Sequence, residues 1–196
     1  MKRLLPILAV TAFSAQASEH EMQISAGLGS SDELDKSVAV NFDVQVIDNF
    51  YIDTSLSFSS QNWHEKWQYL GEKHKQTETL ENANLSVLPT YRFSVLDSVR
   101  LFASAGLILS ESTWLLEEEV VNRNYGRWEV DKDETIQLGL KYGAGVEIDV
   151  FKGDEASGLI KVGYYVSDQG SVEKMDGSIV DLSDVGEISV SFGVRV

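Results

Sequence analysis

Glu147 and Asp149 are the side chains with the clearest chemical potential, because two carboxylates stand two positions apart in TIQLGLKYGAGVEIDVF, residues 135–151. Side chains at this spacing in an extended strand point to the same side. Such a pair can accept and release a proton, or cations can neutralise it across an enclosed space. We favour neutralisation, for which the candidate partners are Lys141, Lys161, Arg92 and Arg100.

Histidine is the other candidate for acid–base or metal chemistry, and the chain has three. His64 and His74 fall in one polar segment, WHEKWQYLGEKHK, which offers no nearby serine and no rigid strand to hold a catalytic base. We expect both to be solvated loop residues. The acidic segments DKDET and LEEEV lack the spacing and the glycine of a calcium-binding loop. The sequence therefore predicts no catalytic residue, no metal site and no cofactor.

The strand that carries Glu147 and Asp149 alternates strictly, with apolar or aromatic residues at even positions and polar residues or glycine at odd ones. A period of two is typical of a β-strand with unlike faces. Similar alternation predicts eight strands, at residues 22–29, 37–46, 50–60, 82–93, 99–112, 135–151, 158–167 and 185–196. Pro89 cannot donate a backbone hydrogen bond within the fourth strand, so we expect a β-bulge there.

The connections between the predicted strands alternate in length. Those at residues 47–49, 94–98 and 152–157 are short, those at 61–81, 113–134 and 168–184 are long, and the first, 30–36, is intermediate. Antiparallel neighbours joined in this way put all long loops at one end, as in bacterial outer-membrane barrels. The pattern predicts an all-β fold, a closed eight-stranded antiparallel up-and-down transmembrane β-barrel.

One face of the predicted strands carries all the charges of the strand interiors. Glycines such as Gly139, Gly143 and Gly145 share that face, and small residues make room for long charged side chains in a narrow barrel. We therefore expect the apolar face to contact lipid and the charged face to line the lumen. The predicted lumen charge network is Asp43, Asp53, Arg92, Arg100, Lys141, Glu147, Asp149, Lys161, Glu187 and Arg195.

Aromatic residues cluster near both ends of the predicted strands. Tryptophan and tyrosine rings favour the level of the lipid headgroups. The tryptophans lie in or beside the two longest loops and predict an aromatic belt of Trp63, Trp67, Trp114 and Trp128. The candidates for the opposite belt, near the tight turns, are Phe50, Tyr51, Phe93 and Phe151.

The first residues, MKRLLPILAVTAFSAQA, place two basic residues before an apolar run and a small-x-small motif. This arrangement predicts a signal peptide at residues 1–17, followed by a barrel domain at 18–196.

The chain has 31 acidic and 16 basic residues, and that excess of negative charge argues against a nucleic-acid partner. Cysteine is absent, which excludes disulfides and thiol catalysis.

Taken together, the signal peptide, the two-faced strands, the alternating connections and the last strand, EISVSFGVRV, resemble the small eight-stranded outer-membrane barrels. That family includes the transmembrane domain of OmpA and the OmpX/Ail proteins. Its closing strand typically ends in an aromatic residue that the barrel-assembly machinery reads, whereas this chain has Val196 there and Phe192 four positions earlier. We expect this departure to bear on recognition by the assembly machinery and not on the fold.

The resemblance implies a bacterial outer-membrane protein, in contact with membrane lipid and lipopolysaccharide and inserted by the barrel-assembly machinery. Its expected role is structural or surface-interactive: acidic loops meet an unidentified extracellular partner, a polar lumen is plugged, and no catalysis takes place. One alternative is a narrow conduit or a lipid-modifying barrel enzyme. Another is a secreted soluble barrel whose apolar ligand would contact Leu107, Leu138, Leu140 and Phe192 inside.

Overall fold

A computed structural model describes residues 21–31, 36–69, 72–120, 128–153, 156–174 and 177–196. These residues form ten β-strands. Their bounds are β1 Met22–Ser31, β2 Lys36–Ile47, β3 Phe50–Tyr69, β4 Glu72–Leu96, β5 Val99–Val120, β6 Trp128–Lys152, β7 Ser157–Ser167, β8 Ser171–Glu173, β9 Ile179–Asp181 and β10 Val185–Arg195. The described part of the chain contains no helix long and apolar enough to cross a membrane. The predicted signal peptide lies outside the described residues.

Eight of the strands close into a barrel. The order around the ring is β1, β10, β7, β6, β5, β4, β3 and β2, and every neighbouring pair is antiparallel. Closure comes from β1, which pairs with β2 on one side and with β10 on the other. A closed ring leaves no unpaired backbone edge in the barrel wall. The predicted eight-stranded antiparallel barrel is confirmed.

The two ends of the barrel differ. At the turn end, the tight connections at residues 48–49 and 97–98 lie near both ends of the described chain, where Met22 and Val196 exchange two backbone hydrogen bonds. Gly153 and Ala156, joined by a backbone hydrogen bond, lie at the same end. Asp48 has a φ of 35°, in the left-handed region that Asp and Asn tolerate better than most residues. At the opposite, loop end, the strands are of very unequal length.

The long connections predicted at 61–81 and 113–134 consist mostly of strand, which corrects the prediction. Residues 61–69 pair with 72–80, residues 74–81 pair with 113–120, and 113–118 pair with 128–134. We call residues 61–69, 72–81, 113–120 and 128–134 the sheet extension. Backbone pairing needs no apolar alternation where both faces meet water or polar groups, so the alternation pattern carried no signal for these strands.

The third long connection, predicted at 168–184, contains the short hairpin of β8 and β9. This hairpin is a separate two-stranded sheet at the loop end. Val172 and Leu182 are buried there against Leu80, Trp114 and Val185. We call residues 168–174 and 177–184 the cap.

Pro89 does not produce the predicted bulge. It pairs with Ile52 of β3, and the β4–β5 register is the same on both sides of it, with Val87 opposite Leu107 and Thr90 opposite Ser104. Around the proline, the pairs at Leu88 and Pro89 are missing from the β4–β5 ladder. The absent backbone donor therefore interrupts one ladder locally and does not shift the register.

The outer wall of the barrel is apolar and the inner wall is polar. Leu140 is 63% exposed, while Lys141, next to it in sequence, is 7% exposed. The alternative of a soluble barrel is wrong, because the side chains that it would place inside point outward: Leu107, Leu138, Leu140 and Phe192. We call the outward apolar side chains of the eight barrel strands the apolar belt.

Candidate functional site

Four charged side chains meet in the middle of the lumen. Arg92 Nη2 lies 2.5 Å from Asp43 Oδ2 and 3.2 Å from Asp53 Oδ1. Lys161 Nζ lies 2.7 Å from Asp53 Oδ2 and 3.2 Å from Asp43 Oδ2. Each carboxylate thus faces two cations from other strands. Such close pairing is what allows charges to remain buried in a protein interior.

A second group of charges fills the lumen near the turn end. Arg195 donates hydrogen bonds to Glu147 and, at 2.7 Å, to Asp149 Oδ1. Its Nε also lies 2.8 Å from Glu21 Oε1, to which Arg100 Nη1 donates at 2.8 Å. The two carboxylates that the sequence singled out are therefore held by one guanidinium group, in a structural arrangement.

The third group lies nearer the loop end. Lys141 Nζ is 4.0 Å from Glu187 Oε2 and 5.0 Å from the ring centroid of Tyr165. Glu187 also accepts a hydrogen bond from Ser37. The structure thus places all ten residues of the predicted charge network on the inner wall. It brings them together in three layers along the barrel axis.

Sequence analysis missed two members of the layer at the turn end, Glu21 and Tyr51. The Tyr51 hydroxyl donates to Glu21 Oε1 at 3.0 Å, and its ring lies 4.0 Å from the guanidinium carbon of Arg92. The period of two predicts both. Glu21 is two positions from Gln23, and Tyr51 is two positions from Asp53, so each pair points to the same side of its strand. Tyr51 is 3% exposed, so its prediction as a belt residue is wrong.

Aromatic rings and glycines fill much of the remaining lumen. Phe102 packs against Tyr165, with ring centroids 6.2 Å apart. A Cβ at Gly145 would lie 2.6 Å from Phe102 Cζ, and one at Gly163 would lie 2.7 Å from Tyr165 Cε2. These distances are too short for carbon atoms, so the two glycines leave the space that the rings occupy.

Two small cavities lie among the charged layers. A cavity of about 40 Å³ is lined by residues that include Asp43, Asp53, Lys141 and Lys161, and another of about 10 Å³ lies nearer the cap. These volumes admit a few water molecules at most.

The loop end is covered by the cap. Leu80, Trp114, Leu116, Val172, Leu182 and Val185 form an apolar cluster there. Lys174 Nζ lies 2.8 Å from Glu78 Oε2 and 5.7 Å from the ring centroid of Trp63. Gln169 bonds to Asn84 and to Ser167 beneath the cluster. The cap thus combines an apolar centre with polar attachments to the sheet extension and to the lumen wall.

The predicted tryptophan belt needs correction. Trp114 is 1% exposed inside the apolar cluster, so it cannot contact lipid headgroups. Trp63 faces Lys174 of the cap, and Trp67 stacks on His74 with centroids 5.4 Å apart. Both rings thus lie on the face of the extension that continues the inner wall. The side chain of Trp128 lies outside the described residues. For Trp63, Trp67 and Trp114 the prediction failed because these residues belong to folded strands and not to loops at the bilayer surface, whereas for Trp128 it stays a prediction.

Of the residues predicted for the belt at the turn end, Phe50, Phe93 and Phe151 point outward. All three are more than a third exposed. They stay candidates for a headgroup belt at that end. Tyr91, also exposed, was not among the predicted residues, although it shares their parity on β4.

The histidines do not form a joint site. His74 Nδ1 lies 2.7 Å from Glu118 Oε1, whereas His64 Nδ1 lies 3.2 Å from Thr77 Oγ1. His74 and Thr77 are three positions apart on β4, so the two imidazoles occupy opposite faces of the sheet extension. Within the described ranges, no group of three or more His, Asp or Glu side chains is arranged to hold a metal ion.

The sheet extension has two open edges among the described residues. β3 pairs with β2 only up to Ser60, and residues 61–69 pair with β4 alone. On the other side, β6 pairs with β7 only from Lys141 onward, so residues 128–140 pair with β5 alone. The cap contacts the second edge at a few points. The backbone N–H of Asp168 donates to the Leu140 carbonyl, and the backbone N–H of Glu173 donates to the Asp133 carboxylate. The β3 edge is the more open of the two.

Comparisons with known proteins support the fold. No protein-family model matches the chain, and no curated protein matches it in sequence. A major outer membrane protein from Thermus thermophilus matches it in structure with a TM-score of 0.54, at 13% identity, over 90% of this chain and 98% of that one.

Two further solved barrels match less closely. Neisserial surface protein A has 15% identity and a TM-score of 0.43, over 90% of this chain and 94% of that one. The N-terminal β-barrel domain of Pseudomonas aeruginosa OprF has the same identity and TM-score, over 89% and 95%. The predicted resemblance to small outer-membrane barrels is confirmed at the level of the fold.

Proposed function

We propose that this chain is a bacterial outer-membrane barrel whose role is to present a binding surface outside the cell. The observation that carries the proposal is the sheet extension. It continues four barrel strands beyond the apolar belt and, among the described residues, has an open backbone edge on β3. The inferred partner is a polypeptide with an extended segment that pairs with this edge.

Membrane placement is supported by the outer wall. On β2, β3, β4, β5 and β6, the outward apolar side chains end at Val38, Phe58, Ala83, Leu109 and Ile136. The next outward residues toward the loop end are Lys36, Ser60, Glu81, Glu111 and Glu134. A transmembrane strand needs about 9 to 11 residues, and the segment from Ile136 to the turn end is long enough. We infer that outer-leaflet lipid and lipopolysaccharide surround the belt and that the barrel-assembly machinery inserts it.

A plugged lumen is the second part of the proposal. Three layers of paired charges cross the lumen, and the cavities between them hold only a few waters. Moving an ion through the barrel would require separating pairs such as Lys161 and Asp53, which costs several kcal/mol per unpaired charge. We therefore infer a structural role for the lumen charges, with no transport and no catalysis.

The charge of the extension bears on the partner. Its described segments contain eleven acidic and four basic residues. Complementary charge speeds association and excludes wrong partners. We infer that the partner's extended segment is flanked by Lys or Arg.

The placement can be tested by chemical labelling, because the chain has no cysteine and a single introduced thiol is unique. We expect a membrane-impermeant maleimide to label Lys66→Cys on intact bacteria and to leave Asp97→Cys unlabelled until the cells are broken. Lys66 lies in the extension and Asp97 in a tight turn. Equal labelling of both, or release of the protein from membranes by carbonate alone, would contradict the proposal.

The edge is tested separately. Along β3, successive backbone N–H groups point alternately to β4 and to the open edge, where an added strand would use them. Single prolines at Glu65, Lys66 and Trp67 therefore separate the loss of an edge donor from the loss of a β3–β4 hydrogen bond. The matched control places the same number of prolines in the exposed turn at residues 97–98, with the barrel's heat-dependent gel mobility as a check of folding. We expect the β3 proline variants to lose binding of the extracellular partner and the control variant to keep it. Equal binding by both would leave the edge without a role.

A further inference from the structure

A groove opens on the outer face of the barrel, where the apolar belt meets the sheet extension. It has a volume of about 610 Å³, within the range of small-molecule sites. Its lining comes from β2, β3, β4, β5 and β6 and includes Val38, Phe58 and Ala83 of the belt. The groove is therefore continuous with the lipid-facing wall, and a molecule could enter it sideways from the bilayer.

The strand register arranges the groove in rows. Lys36, Ser60, Glu81, Thr113 and Glu134 lie opposite one another on consecutive strands and form a polar row. One row nearer the turn end, Val38, Phe58, Ala83 and Glu111 follow in the same way. On β2, β3 and β4 the groove therefore changes from apolar to polar between these two rows, while on β5 the carboxylate of Glu111 already lies in the row nearer the turn end. This division matches an amphiphile with its chain on the belt and its headgroup on the polar row.

The charged part of the groove has an excess of carboxylates. Lys132 bonds to Glu134, which leaves Glu81, Glu111 and Glu129 with Lys36 in the lining. The pKa of the Lys132 ammonium is raised, mainly by its hydrogen bond to Glu134 and also by the charges of Glu129 and Glu81. Carboxylates from β4 and β6 thus both act on the Lys132 ammonium. Their field favours a positively charged headgroup over a phosphate.

We propose that the groove binds an outer-leaflet lipid with a positively charged headgroup. The headgroup lies against Glu81, Glu111 and Glu129, and an acyl chain follows Phe58 and Val38 down the belt. The apolar entrance selects a membrane lipid over a soluble cation, because the chain gains contact with the barrel without leaving hydrocarbon. This inference rests on the membrane placement proposed above, and it is independent of the β3 edge.

The test uses a fluorescent reporter in the groove. Thr113→Cys, labelled with bimane, is reconstituted in phosphatidylcholine nanodiscs that contain a brominated lipid, since bromine quenches bimane on contact. Brominated lipids with trimethylammonium, phosphocholine and phosphoglycerol headgroups are compared at the same mole fraction. The control reporter is Ile188→Cys, an exposed residue of β10 on a part of the belt outside the groove.

At position 113 we expect the trimethylammonium lipid to quench about threefold more strongly than phosphocholine, the order of an ion pair at a partly exposed site. At position 188 we expect no preference. Glu81→Gln/Glu111→Gln should abolish the preference, whereas Glu65→Gln/Glu173→Gln, which removes the same charge outside the groove, should retain it.

Two outcomes would overturn the inference. Equal quenching by all three lipids at position 113 would show a surface without headgroup selection. Stronger quenching by the phosphoglycerol lipid, with or without Mg²⁺, would assign the groove to an anionic lipid. Since the barrel is already inserted in the nanodisc, neither outcome bears on its location in the cell, which the maleimide labelling decides.

Discussion

Lys161 Nζ lies 2.7 Å from Asp53 Oδ2, although their strands stand on opposite walls of the barrel. β7 and β3 are four positions apart in either direction around the eight-stranded ring. The two side chains therefore span the lumen at its middle. Glycines on the inner wall and the rings of Phe102 and Tyr165 enclose this contact.

Replacing Lys161 with Met should destabilise the barrel strongly. The change leaves Asp43 and Asp53 with Arg92 as their only close cation among the described residues. Removing one partner of a buried ion pair costs about 3 to 5 kcal/mol. Urea unfolding in lipid vesicles measures the loss. Lys66→Met, on the exposed extension, is the control and should change the unfolding free energy by less than about 0.5 kcal/mol. A similar value for both variants would mean that the central layer does not stabilise the barrel.

Leu140→Arg distinguishes a wall in lipid from a wall in water. An outward arginine in hydrocarbon costs about 2 to 4 kcal/mol at the midplane and less toward the interfaces, whereas the same change on a solvated surface is nearly neutral. We expect Leu140→Arg to lower the unfolding free energy measured in lipid vesicles by an amount in the range expected for hydrocarbon. Leu140→Met keeps the side chain apolar and should leave stability within about 0.5 kcal/mol of the original. A neutral Leu140→Arg variant would show that the belt does not contact hydrocarbon.

Trp114→Ala should open the cap without unfolding the barrel. Trp114 lies in the apolar cluster that holds Val172 and Leu182, and truncating a buried tryptophan costs about 3 to 5 kcal/mol. We expect trypsin to cut after Lys174 much faster than in the original protein, because local opening exposes that bond. Trp67→Ala, which removes a ring stacked on His74, is the control. If both variants are cut at the original rate, the cluster does not secure the cap.

Removing the cap should leave the barrel closed to ions. If residues 171–181 are replaced by a short Gly-Ser linker, the charged layers at Asp43, Lys161 and Arg195 remain in place. We therefore expect planar bilayers with either protein to show no conductance steps above background. Steps that occur only in the linker variant would place the barrier in the cap. Gel mobility before and after heating checks that both proteins are folded.

Strand parity by itself determined the barrel and its orientation. Arg92, Lys161 and Glu147 were assigned to the lumen because each is in phase with other charged residues and out of phase with residues such as Leu140. The argument needs only a period of two and the rule that charges avoid lipid. The same rule would have found Glu21 and Tyr51, had parity been followed to the ends of the strands.

Tertiary structure alone decided which charges pair, how far the strands continue and where the tryptophans lie. Lys161 meets Asp53 because ring closure brings β7 opposite β3, and distance along the chain carries no information about that. Residues 61–69 form a strand because β4 supplies backbone partners, which polar sequences accept as readily as apolar ones. Trp114 is buried because the cap folds over it. Parity describes each strand separately, whereas these features depend on contacts between segments far apart in sequence.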